Sequence, residues 1–116
     1  MSLSPFAVTF DARDAETVAT FWAEVLGRSV LDGADAASAT VAPDPAVPGS
    51  SIGFRQVPED KTVKNRMHFD FVTGDFDADV ARLVDLGAKK LNEVDAGIHY
   101  ATFADPEGNE FDVIAR

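Results

Sequence analysis

Met67-His68-Phe69-Asp70-Phe71-Val72, followed by Asp75 and then Leu86-Gly87, decides the fold, because an equivalent pattern opens the chain. In the later copy Met67, Phe69 and Phe71 alternate onto one face, as strand side chains do. Asp75 is an N-cap residue, and Phe76, Val80, Leu83 and Val84 follow at helical spacing. Leu86-Gly87 stops the helix. In the earlier copy Phe6-Ala7-Val8-Thr9-Phe10-Asp11 alternates in the same way. Asp14 is the cap, and Val18, Phe21, Trp22, Val25 and Leu26 form the apolar helix stripe. Leu26-Gly27 is the stop.

Short runs separated by Gly and Pro follow each helix. Ser29–Leu31, Ala37–Ala42 and Ser51–Val57 predict three strands in the first half. Lys89–Leu91, Ile98–Phe103 and Phe111–Ile114 predict three in the second. Each half therefore reads as β-α-β-β-β, with module one over 4–57, a polar linker over 58–66 and module two over 67–116. Neither half buries its sheet alone, so the 116 residues are expected to form one domain. The expected fold is α+β: two βαβββ modules forming an eight-stranded cupped mixed sheet with helices outside.

Composition narrows the function. Lys and Arg number 10 against 20 Asp and Glu, a formal net charge of −10. Nucleic-acid binding rests on Lys and Arg neutralising phosphate, so a nucleic-acid partner is not expected. An anionic membrane surface is disfavoured for the same reason. No apolar run approaches the roughly 18 residues of a membrane span, and no leader is evident, so a cytoplasmic protein is expected. The absence of cysteine excludes disulfides, thiolate metal sites and a cysteine nucleophile. No Gly-rich phosphate loop and no Ser-His-Asp pattern is present.

Three stretches resemble one family. Phe21-Trp22-Ala23-Glu24-Val25-Leu26-Gly27 resembles the Phe-Trp/Tyr…Leu-Gly helix of the vicinal oxygen chelate superfamily. That superfamily includes glyoxalase I, extradiol dioxygenases, fosfomycin resistance proteins and bleomycin resistance proteins. Asp105-Pro106-Glu107-Gly108-Asn109-Glu110-Phe111 is similar to its turn before the last strand. Asn65-Arg66-Met67-His68-Phe69-Asp70 is similar to the start of the second module in small bacterial glyoxalase-like domains. The resemblance covers about residues 6–115. It implies paired βαβββ modules, a small-molecule ligand in a concave sheet pocket and assembly as a homodimer.

The resemblance also implies a divalent metal (Zn, Ni, Mn or Fe) held by the first and last strands of each module. His68 and Asp112 occupy the second-module positions, with Glu110 on the same face as Asp112. The first module offers Ala7 or Val8 on its first strand and, on its last, Gln56 beside the repelling Arg55. This incomplete set predicts a metal that is weakly bound or absent, and argues against standard glyoxalase I activity. His68 has three open readings: a structural or ligand-contacting residue, a metal ligand, or half of a His–carboxylate acid–base pair. His99 reads as an exposed edge residue.

The candidate catalytic residues are thus His68, Glu110 and Asp112. The candidate ligand contacts are Phe54, Arg55, Arg66, Asp70 and Tyr100. Phe21, Trp22, Phe54, Phe69, Phe71 and Phe103 also suit the core, and the two arginines suit surface ion pairs. The resemblance implies lyase or isomerase chemistry, in which a metal polarises a carbonyl and Glu110 or Asp112 moves a proton. The rival reading is a non-catalytic protein that sequesters an antibiotic-like ligand, with the acidic surface favouring a cationic one.

Overall fold

The two helices begin where aspartate side chains replace missing backbone partners. The computed structural model describes residues 2–116. Its elements run β1 (Ala7–Ala12), α1 (Ala15–Leu26), β2 (Ser38–Val41), β3 (Ser51–Gln56), β4 (Asp70–Thr73), α2 (Phe76–Asp85), β5 (Lys89–Ala96), β6 (Ile98–Ala104) and β7 (Glu110–Ala115). The Asp14 carboxylate accepts from the Thr17 N–H and caps α1, and Asp75 accepts from Ala78 N–H and caps α2. Gly27 ends α1 in the left-handed region, at φ 65°. Past α2, Gly87 takes φ 108°.

The fold is α+β, and the chain divides into two compact units that meet in sequence at Asp60 and Lys61. In the first unit the strand order is β1-β3-β2. β1 runs parallel to β3, with Val8 opposite Ile52 and Phe10 opposite Phe54. The rings of Phe10 and Phe54 stack at 5.7 Å. α1 packs on all three strands and buries Val18, Phe21 and Trp22 with Val41, Ile52 and Phe54. Burying such side chains is the main stabilising term here.

The second unit has strand order β4-β7-β6-β5. β4 runs parallel to β7, and the remaining pairs are antiparallel. In both units, then, the first strand pairs in parallel with the last, which pairs in turn with the strand before it. The duplicated sequence pattern thus corresponds to a duplicated topology. Phe103 and Phe111 stack at 5.7 Å and Phe71 meets Phe111 edge-on. α2 packs on β7, with Leu83 buried.

One expected strand is nearly missing. Ser29–Leu31 contributes a single bridge, Val30 to Val41, so the described residues form seven strands in sheets of three and four. Beyond the bridge the chain turns away at Asp32-Gly33, with Gly33 at φ 89°. β4 is also shorter than the alternation suggested. Met67 lies outside it and is 68% exposed, and Phe6 lies outside β1 in the same way.

Candidate functional site

The site starts at a turn. Asp105 is buried, and its Oδ1 accepts from the Glu107 and Asn109 N–H groups at 2.9 Å each. Gly108 completes the turn at φ 85°. β7 leaves this turn with Phe111 and Val113 in the core, so Glu110, Asp112 and Ile114 lie on the opposite face.

Sheet register then assembles a polar row. Asp112 stands opposite Asp70 of β4 on one side and Thr102 of β6 on the other, and Thr102 stands opposite Asn92 of β5. Thr102 Oγ1 donates to Asp112 Oδ1 at 2.5 Å, which fixes that carboxylate. Asp70 and Asp112 are like charges in adjacent register, an arrangement that costs stability unless a cation lies between them. His68 precedes β4 and places Nδ1 3.2 Å from Asp70 Oδ1. One ligand atom from each of His68, Asp70 and Asp112 lies within 4.8 Å of the other two. This is the only such metal-competent group among the described residues. One imidazole and two carboxylates suit a borderline or hard divalent ion such as Mn²⁺ or Fe²⁺, with positions left for exogenous ligands. The residues present therefore fit a divalent metal.

The neighbouring row is apolar. Val72, Ile114, Tyr100 and Val94 align across the same four strands. Val72 is exposed and the other three are half-buried, so a ligand's hydrocarbon part has a surface beside the polar row. Tyr100, expected to meet the ligand, sits in this row.

Glu110 has other partners. Lys64 Nζ donates to Oε2 at 2.8 Å, Lys61 Nζ to Oε1 at 3.3 Å, and the Asn65 N–H to Oε1 at 3.2 Å. Chiefly through the Lys64 bond, its carboxyl is held at about 2, and the same bond raises the Lys64 ammonium above the ordinary lysine value. An acid this strong is a poor general base near neutrality. The other expected ligand contacts are dispersed. Phe54 is 1% exposed in the first unit's core. Arg55 is exposed and in register with Asp11. Arg66 is exposed two residues before His68. Gln56 donates to the Arg13 carbonyl at 2.9 Å. His99 is half-buried rather than exposed: Nε2 lies 3.0 Å from Glu93 Oε2, and its ring centroid is 3.9 Å from that of Phe76. Sequence reading missed Thr102, whose only signal is its register opposite Asp112.

A family profile described as a glyoxalase-like domain matches residues 7–114. The chain belongs to this glyoxalase-like domain family. That family match over nearly the whole chain bears out the resemblance to the vicinal oxygen chelate superfamily. Among solved structures, this glyoxalase-like domain is similar to oxidase ChaP-H2, at 22% identity and TM-score 0.70, over 100% of this chain and 95% of that one. It is similar to the fosfomycin resistance protein FosX from Mesorhizobium loti at 16% identity and TM-score 0.73, over 100% and 93%. A FosX mutant from Listeria monocytogenes, complexed with Mn(II) and 1S,2S-dihydroxypropylphosphonic acid, has 15% identity and TM-score 0.72, over 98% and 90%. At these identities the likeness shows the fold. No curated protein matches the chain in sequence.

Proposed function

We propose that this glyoxalase-like domain binds a small molecule with paired oxygen donors through a divalent cation held by His68, Asp70 and Asp112. The observation carrying this reading is the convergence of the three ligand atoms within 4.8 Å. The Mn(II) in the Listeria FosX complex supports it by analogy of fold. When bound, such a cation polarises a coordinated ligand oxygen. Thr102 orients Asp112, and Asp70 orients the His68 ring through Nδ1. The other ring nitrogen of His68 then gives or takes a proton when no cation engages it, as lyase or isomerase chemistry requires. Val72, Tyr100 and Ile114 seat the apolar part of the ligand.

Binding without turnover is a second reading, and the state of Glu110 favours it. Glu110, one of the two carboxylates expected to move a proton, is bound by two lysines and a backbone N–H. A sequestering protein needs only the two rows, and its acidic surface suits a ligand with a cationic group.

Titration of metal-free protein with Mn²⁺, read by the spin resonance of the free ion, tests the main reading. One Mn²⁺ per chain is expected, with affinity at least about tenfold lower in His68→Ala. No binding, or equal binding by His68→Ala, refutes it. Thermal stabilisation by a cationic, metal-free ligand in the presence of chelator would favour sequestration instead.

A further inference from the structure

His68 belongs to no strand. β4 begins at Asp70, and residues 61–69 have no regular secondary structure. The ring's place on the polar row must therefore come from ties on either side of it. On the C-terminal side, the Asp112 N–H donates to the Phe69 carbonyl at 3.0 Å. On the N-terminal side, Asn65 is bonded to the start of β7 through every polar group it offers there. Its Oδ1 accepts from the Glu110 N–H at 3.0 Å, its N–H donates to Glu110 Oε1 at 3.2 Å, and its Nδ2 donates to Asn109 Oδ1 at 3.2 Å. The Asn65 side-chain oxygen thus takes the place the Met67 carbonyl would hold on the Glu110 N–H if β4 extended further alongside β7. Lys61 and Lys64 steady the Glu110 carboxylate that closes this ring of bonds.

We propose that the Asn65–Glu110 pair is a clamp that prolongs the β4–β7 pairing by side chains and thereby positions His68 over Asp112. Glu110 is then a positioning residue. The residues between Asn65 and Phe69 are pinned at both ends, which leaves the imidazole little freedom to leave the row. The inference rests on the reading of His68, Asp70 and Asp112 as the functional centre, and concerns what builds it.

The test compares Asn65→Ala, Glu110→Ala and Glu110→Gln in the full chain. Two readouts are used: Mn²⁺ affinity, and the ring resonances of the two histidines in metal-free protein. His99 is the internal control, because Glu93 and Phe76 hold it independently of the clamp. Asn65→Ala and Glu110→Ala should displace or broaden the His68 resonances, leave those of His99 in place and weaken Mn²⁺ about tenfold. Glu110→Gln keeps an oxygen acceptor for the Asn65 N–H, so it should restore the His68 resonances and bring affinity to within about threefold of wild type. Unchanged His68 resonances in both alanine variants overturn the clamp. So does a glutamine variant as impaired as Glu110→Ala, since charge alone would then be the cause. Should Glu110→Ala fail to fold, Asn65→Ala carries the comparison. Absence of Mn²⁺ binding by wild type would refute the metal reading, and the His68 resonances would still decide the clamp.

Discussion

Glu110 shows how one side chain's role depends on residues far away in sequence. Its alternation with Phe111 puts it on the same face of β7 as Asp112, and the burial of Phe111 and Val113 agrees. Its two lysine partners lie 46 and 49 positions earlier, in a segment that reads as a polar linker. No local pattern announces such a pairing. Its carboxyl, held at about 2 against an ordinary 4.5, stabilises the fold fully above pH 4.5, and that contribution is lost as pH falls from 4.5 towards 2. Lys64 is largely exposed, which screens the effect to about 1–2 kcal/mol. Denaturant unfolding should therefore show wild type exceeding Glu110→Gln by that amount at pH 6. The gap should narrow as pH falls below 4.5 and close only near pH 2; a constant gap would mean the ion pairs contribute nothing. His68 and Asp112 were legible through the resemblance. Asp70 was legible only as a ligand contact, because its approach to Asp112 is a matter of register between β4 and β7.

At the level of elements, caps and stops were the most legible features. Asp14, Asp75 and Gly27 act locally, within one turn of the residue concerned, so their chemistry is written in adjacent positions. The strand expected at Ser29–Leu31 shrinks to one bridge, Val30 to Val41, because its ladder holds only two backbone bonds, Leu31 N–H to the Thr40 carbonyl and Ala42 N–H to the Ser29 carbonyl. The turn before β7 was legible as a turn, yet its organiser is the buried Asp105 carboxylate rather than Pro106. Asp105→Ala leaves the Glu107 and Asn109 N–H groups without their acceptor and should cost about 2–3 kcal/mol. A fall in the urea midpoint accompanied by weaker Mn²⁺ binding would show that this turn delivers Asp112 to its place. An unchanged midpoint would remove the turn from the account.

For the whole molecule, family membership follows from the match over residues 7–114 and from a topology that recurs in both units. Among the described residues, no helix is long and apolar enough to cross a membrane. β4 is an edge strand with Val72 58% exposed, and Met67 just ahead of it is 68% exposed. A strand with a single hydrogen-bonded neighbour in its sheet and an exposed apolar residue just ahead of it favours association, and we propose on this ground that the chain forms a homodimer. Sedimentation equilibrium should give twice the 12.4 kDa chain mass, and a single-chain mass at high protein concentration would exclude it. The two rows of the second sheet add a constraint on size. They are two residues apart along each strand, or about 7 Å. On the proposed reading the surface acts as a gauge. A molecule that fills it carries its oxygen pair and its hydrocarbon portion separated by about the width of one aromatic ring. Two-carbon hydroxy acids are too short to reach from one row to the other.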